Sequence, residues 1–206
     1  MRAARRLGLA AGLGVAGAAL WWRKHPSACP YSQRFWVEAP HPFITRERLR
    51  SALEPAAGER VLEVGPGTGY YALPVARWLE PSGRLDVVDI QQEMLDHTLR
   101  RASSEGIANI AGQLADAREM PYEDATFHAA YLVTVLGEIP DQEAALRELH
   151  RVVKPGGRIV VGELFGDPHM VTFRALRDRA EAAGLEVDRT LGGRLWHFTR
   201  LRRSNS

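Results

Sequence analysis

The run Val61-Leu62-Glu63-Val64-Gly65-Pro66-Gly67-Thr68-Gly69-Tyr70 constrains this chain more than any other stretch. Its first half is a short aliphatic, β-branched run of the kind that makes a strand buried on both faces. Its second half sets glycines at alternate positions, where the backbone turns sharply and a ligand can approach bare peptide. The amphipathic run Tyr71 to Glu80 reads as a helix whose N-terminus points into that turn. Pro74 in it is tolerable only within the first turn or so, where few amides need partners. Strand, glycine loop and helix together make a nucleotide-type site.

Spacing narrows the ligand. A dinucleotide fold places glycines as Gly-x-Gly-x-x-Gly, so that the helix packs close to a pyrophosphate. Here the pattern is Gly65-x-Gly67-x-Gly69, and Tyr70 stands where the third dinucleotide glycine would fall. That opposes a nicotinamide-dependent oxidoreductase. The Gly-x-x-x-x-Gly-Lys-Ser/Thr phosphate loop is absent as well.

The rest of the chain continues the alternation. Thr45 caps a helix to about Leu53, and Glu54-Pro55-Ala56-Ala57-Gly58 stops it before the opening strand. Strands follow at Arg84 to Asp89, Asn109 to Leu114, Phe127 to Thr134 and Arg158 to Glu163. Helices are predicted over Gln91 to Ser104, from Asp141 to a Lys154-Pro155-Gly156-Gly157 turn, and from about Met170 to Ala183. Leu185 to Leu191 and Leu195 to Leu201 read as an antiparallel hairpin. Alternating β and α with a terminal hairpin implies an α/β doubly wound, mostly parallel sheet covered on both faces. A chain of 206 residues, 45% hydrophobic, suits one such domain over 45–206.

The glycine stretch, with Glu63 two residues ahead of it, resembles motif I of the class I S-adenosylmethionine-dependent methyltransferases, of the small-molecule type. The element order resembles their seven-stranded fold over about residues 45–203. The resemblance implies S-adenosylmethionine as cofactor, held by Glu63, Gly65, Gly67 and Gly69 around its methionine end. Asp89, 24 residues after Gly65, falls where the family binds both ribose hydroxyls, with Ile90 beside it. A carboxylate suits a diol because it only accepts. Asp116-Ala117 falls where the family reads the adenine amino group, and Thr134 opens the segment that faces the acceptor. No metal is implied.

That segment, Thr134-Val135-Leu136-Gly137-Glu138-Ile139-Pro140-Asp141, lacks the Asp/Asn-Pro-Pro-Tyr/Phe signature of base methylation. Many small-molecule members carry a histidine pair near 137–138, and this chain has Gly137-Glu138. The catalytic candidates are Glu138, His169 after the fifth strand, and His41, each set against a plain structural role. His128 and His197 are expected to be structural. Methyl transfer is an in-line displacement, so positioning alone can supply much of the catalysis. A cofactor-binding scaffold without turnover is therefore the rival reading.

Charge and composition separate the N-terminus from the domain. Residues 1–24 carry Arg2, Arg5, Arg6, Arg23 and Lys24 and no acid, whereas the remainder holds 22 basic and 25 acidic residues. A mildly acidic body excludes a spread basic face for nucleic acid. Leu7 to Trp22 is uncharged and ends in Trp21-Trp22. As a helix it would be about 24 Å long, short of a typical ~30 Å hydrocarbon core. It fits a membrane anchor, a cleaved signal peptide or a buried helix. The anchor agrees best with the tryptophan pair and with a cofactor made in the cytoplasm. The expectation is a membrane-associated protein with a cytoplasmic domain, the alternative being a soluble cytoplasmic one. Residues 25–44, with prolines at 26, 30, 40 and 42, read as an aromatic-rich linker or a lid over a small, lipophilic acceptor. The sole cysteine, Cys29, excludes an intrachain disulfide.

Overall fold

A computed structural model describes residues 27–33 and 42–203. The expected N-terminal anchor over 1–24, part of the linker or lid, and His41 lie outside the described residues. Strand β1 (Arg60–Val64) is central, pairing in parallel with β2 (Arg84–Asp89) and with β4 (Phe127–Val133). Its aliphatic side chains alternate between faces. Val61 packs on one side and Leu62 and Val64 on the other, so both faces require cover.

β3 (Ile110–Leu114) pairs with β2, and β5 (Val153–Leu164) with β4, all parallel. β6 (Leu185–Gly192) and β7 (Trp196–Arg203) form the hairpin, and β7 runs antiparallel to both β5 and β6. The sheet order is β3-β2-β1-β4-β5-β7-β6. It reverses direction between β1 and β4, and that switch point is where an open α/β sheet leaves a crevice at its strand C-termini.

Three helices cover one face: α1 (Arg46–Leu53), α2 (Ala72–Trp78) and α3 (Gln92–Ser104). Their Leu49, Leu53, Val75 and Leu95 pack with Val61, Tyr131 and Val160 of the sheet. Two helices cover the other face: α4 (Gln142–Val152) and α5 (Phe173–Ala182). Leu146, Leu149 and Leu176 meet Leu62, Leu132 and Val161 there. Burying each such aliphatic side chain contributes roughly 1.5–3 kcal/mol.

Local chemistry shifts several expected boundaries. Thr45 Oγ1 accepts the Arg48 amide as expected of a cap. Pro74 is the third residue of α2, within its first turn, and the helix ends at Trp78 rather than Glu80. α5 starts at Phe173 because Thr172 Oγ1 accepts the Ala175 amide. β5 starts at Val153, not at Arg158. The Lys154-Pro155-Gly156-Gly157 stretch is a bulge inside the strand, between the pairs Phe127–Val153 and Ala129–Arg158. His128 is structural, its Nδ1 accepting the Arg60 amide at 3.0 Å. His197 is fully buried between the Val171 carbonyl and Thr199 Oγ1, and burial pushes its pKa down.

Candidate active site

The crevice at the switch point holds a cavity of about 720 Å³. Its walls come from the ends of β1, β2, β4 and β5, the segment after β3, and residues Ser27–Pro30 with Gln33. Gly65, Gly67, Asp89, Ile90, Asp116, Ala117, Thr134, Glu138 and His169 all lie on it. Residues up to 142 apart in sequence, Ser27 and His169, thus share one chamber.

The glycine loop forms as its spacing requires. Gly65, Gly67 and Gly69 all have positive φ, at 69°, 54° and 83°. A Cβ on Gly65 would stand 2.5 Å from Val135 Cγ2. Thr98 Oγ1 donates to the Gly67 carbonyl at 2.9 Å, and Arg101 donates to the Thr68 carbonyl at 2.7 Å. Two of the loop's amides are already engaged, Gly65 donating to the Val88 carbonyl at 2.8 Å and Gly69 to the Pro66 carbonyl at 2.9 Å, so it is Gly67, on the cavity wall, that is placed to meet an anionic group.

Gly69 and Glu63 sit behind that surface. Glu63 is 2% exposed, opposite Tyr131 across the β1–β4 pair. Burial pushes its pKa up to about 8, with Asp89 adding to the rise and the Tyr131 hydroxyl opposing it. The structure therefore places Glu63 beneath the loop rather than on the cavity wall.

Asp89 ends β2, and its Oδ1 accepts the Gln91 amide at 2.9 Å. Burial raises its pKa to about 6, against hydrogen bonds from the Gln91 and Ile90 amides. Ile90 beside it is 57% exposed, an open apolar platform fit for a flat ring. Ala117 and Met94 extend that apolar wall. Asp116 lies there too, but Arg118 grips both of its carboxylate oxygens at 2.6–3.1 Å. An adenine amino group would therefore share this carboxylate with a guanidinium. Thr134 holds φ at +55°, a conformation non-glycine residues rarely take, while its amide donates to the Gly162 carbonyl.

The same wall carries Glu138, Asp167 and His169. Glu138 belongs to a 3₁₀ turn, Leu136–Glu138, after β4. A Cβ on Gly137 would fall 1.8 Å from the His169 carbonyl oxygen, so only glycine lets the loops after β4 and β5 meet. Burial lifts the Asp167 pKa, and its carboxylate accepts the His169 amide at 2.7 Å. The residues 27–33 form a strap across the mouth. Gln91 holds it twice, donating from Nε2 to the Cys29 carbonyl and accepting the Tyr31 amide at Oε1. The Tyr31 hydroxyl lies 3.2 Å from His97 Nδ1. Gln91, Cys29 and Asp167 were not legible as site residues. Only the place of Gln91, two residues after Asp89, hinted at its position.

The chamber fits S-adenosylmethionine in three independent respects. The glycine loop with Gly67 on the wall suits its carboxylate, a half-buried acid beside an apolar platform suits its nucleoside, and the further carboxylates of Glu138 and Asp167 on the wall suit a cationic ligand. Comparisons with known proteins agree. Residues 61–157 match the family model described as a methyltransferase domain. A ubiquinone/menaquinone biosynthesis C-methyltransferase of Cellvibrio japonicus is 39% identical over 54% of this chain and 45% of its own. The protein of the same name from Coxiella burnetii is 34% identical over 70% of this chain and 54% of its own. The matches thus span about half the length of these relatives. A SAM-dependent methyltransferase structure from Aquifex aeolicus superposes with a TM-score of 0.78 at 18% identity, covering 84% of this chain and 98% of that one. The [4+2]-cyclase SpnF superposes at 0.69 and 20% identity, over 78% and 80%. Residues 61–157 therefore belong to the methyltransferase domain family, on a class I S-adenosylmethionine-dependent methyltransferase fold.

Proposed function

We propose that this protein transfers the methyl group of S-adenosylmethionine to a small, lipophilic acceptor. The single observation that carries the reading is the shared chamber, whose wall brings Gly65, Gly67 and Asp89 together with Glu138, Asp167 and His169. In this reading Gly67 receives the methionine carboxylate, Gly65 lines the approach with its own amide on the Val88 carbonyl, and Glu63 and Gly69 support the loop from behind. Asp89 accepts the ribose hydroxyls, Ile90 and Ala117 flank the adenine, Asp116 meets its amino group, and Thr134 borders the methionine moiety. Bound there, the cofactor supplies an electrophilic methyl group.

Lipophilicity of the acceptor rests on the apolar rim. Phe165 is 69% exposed and Leu195 56%, and the Phe165 amide donates to the Leu195 carbonyl at 2.7 Å beside the cavity wall at Leu164 and Gly166. The names of the two C-methyltransferase relatives point the same way. Among the described residues, no helix is long and apolar enough to cross a membrane. A tether through residues 7–24 accordingly rests on their apolar, basic sequence alone.

A second reading, a cofactor-binding protein that does not transfer methyl groups, has one observation in its favour: the fold is shared with a protein named as a cyclase. Two measurements separate the readings. Calorimetry with S-adenosylhomocysteine against NAD should show binding of the former only. Tritium-labelled methyl transfer into a bacterial lipid extract should then label a lipid. Binding without transfer leaves the scaffold standing, and absence of binding to folded protein removes both readings.

A further inference from the structure

Among the described residues, Glu138 joins the strap to the loop after β4. Its Oε2 accepts the Cys29 amide at 3.2 Å, and no other hydrogen bond to this carboxylate is made among the described residues. The carboxylate lines the cavity, so one oxygen is clasped to the strap while the other is available to a bound molecule. Its backbone is equally fixed. The Glu138 amide donates to the Val135 carbonyl at 2.9 Å, and the preceding Gly137 abuts the His169 carbonyl without room for a Cβ. A carboxylate clasped through one oxygen on a fixed backbone, and lining the cavity, is arranged for proton transfer rather than for a solvated surface.

We propose that Glu138 is a catalytic residue, the group that takes the acceptor's proton on methylation, and that the Cys29 amide of the closed strap holds it in the productive orientation. This rests on the methyl-transfer reading above. The acceptor's nucleophilic atom bonds to the methyl carbon as the carbon–sulfur electron pair returns to sulfur, and the acceptor's proton passes to Glu138. A cation and a carboxylate before the step become a neutral thioether and a neutral acid after it. In an apolar chamber that loss of charge is favourable. The surroundings match the task. Burial pushes the Glu138 pKa up to about 8, against the Cys29 hydrogen bond and with Asp167 and Asp89 adding to the rise. Closure would thus assemble the base, and the strap would link substrate capture to chemistry.

Glu138→Gln and Glu138→Ala test the two halves. Glutamine keeps an oxygen for the Cys29 amide but cannot take the proton; alanine loses both. Tritium-labelled S-adenosylmethionine and a bacterial lipid extract serve as probes in single turnover. Glu138→Gln is expected to transfer about 10²-fold more slowly or worse, while S-adenosylhomocysteine binds as in the wild type. Its pH–rate profile should lose the limb near pH 8. The other titratable groups facing this carboxylate, Cys29 on the strap, Asp167 and His169 after β5, Glu163 on β5 and Asp89 on β2, remain unchanged in the variant. Deuterium exchange at the Cys29 amide should stay slow in Glu138→Gln and become fast in Glu138→Ala. Transfer by Glu138→Gln within a few-fold of wild type overturns the proton-transfer role. Continued protection of the amide in Glu138→Ala overturns the clasp. If the wild type binds S-adenosylhomocysteine yet labels nothing, the methyl-transfer reading falls and takes this role with it.

Discussion

Gln91 donates its backbone amide to Asp89 Oδ1 at 2.9 Å, while its side-chain amide holds the strap at both Cys29 and Tyr31. One residue therefore orients the candidate ribose acceptor and fastens the segment that covers it. The two functions separate by mutation, because the backbone bond survives truncation of the side chain.

Asp89→Ala removes a carboxylate placed to accept from two hydroxyls. Calorimetry should show S-adenosylhomocysteine binding weakened by about 1–3 kcal/mol. A pH signature accompanies it. Because burial raises the Asp89 pKa to about 6, the acid is protonated below that pH and loses accepting capacity. Affinity should accordingly rise between about pH 5 and 7 in the wild type and stay flat in Asp89→Asn. An equal pH dependence in both proteins assigns the titration elsewhere.

Gln91→Ala leaves that bond and frees the strap. The chain's only cysteine, Cys29, reports on it directly. Burial raises the Cys29 thiol pKa, and the nearby Glu138 and Asp167 carboxylates raise it further, so the closed strap protects a poorly ionised thiol. Modification by a thiol reagent at neutral pH should be roughly tenfold faster in Gln91→Ala, since opening the strap removes both effects. Identical rates would mean that Gln91 does not fasten the strap.

The contrast between Asp89 and Gln91 marks what a sequence conveys. Gly65, Gly67, Gly69 and Asp89 are legible because each acts through local backbone: a positive φ, a strand end, a fixed distance along β1 and β2. The doubly wound order is legible for the same reason, since periodicity and glycine placement are short-range signals. The clasp is not. Cys29 lies 62 residues from Gln91 and 109 from Glu138, and nothing local records that the three meet. Asp116 fails differently: its position was read, but its grip by Arg118 two residues on competes with the role assigned to it. Likewise Val153 to Gly157 carries turn residues that the neighbouring β4 recruits as a bulge.

Gly137 explains why a histidine pair is missing from the loop after β4. Any side chain there meets the His169 carbonyl, with a Cβ only 1.8 Å from its oxygen, and backbone cannot step aside cheaply. Gly137→Ala should destabilise the protein by about 1–3 kcal/mol in urea unfolding, as overpacking does. The clash is with the loop after β5, so methyl transfer should fall much more than S-adenosylhomocysteine affinity. A fully stable variant would show that the loops after β4 and β5 are not in the contact described.

Glu63 makes the last prediction, on stability. It is buried opposite Tyr131, and its Oε2 has no hydrogen-bond partner among the described residues. Burial holds its folded pKa at about 8, against 4.5 as the ordinary value. Between those values the folded state keeps a proton that the unfolded state gives up. Raising the pH therefore favours unfolding, and the stability present below about pH 4.5 is lost progressively until pH 8. At 1.36 kcal/mol per unit, the loss is on the order of 5 kcal/mol across the window. Glu63→Gln keeps the shape and has nothing to ionise. Urea unfolding at pH 5.5 and 8.5 should show the variant gaining on the wild type by several kcal/mol at the higher pH. Parallel losses in the two proteins would mean that Glu63 ionises readily beneath the glycine loop, and that its burial is not what sets its charge.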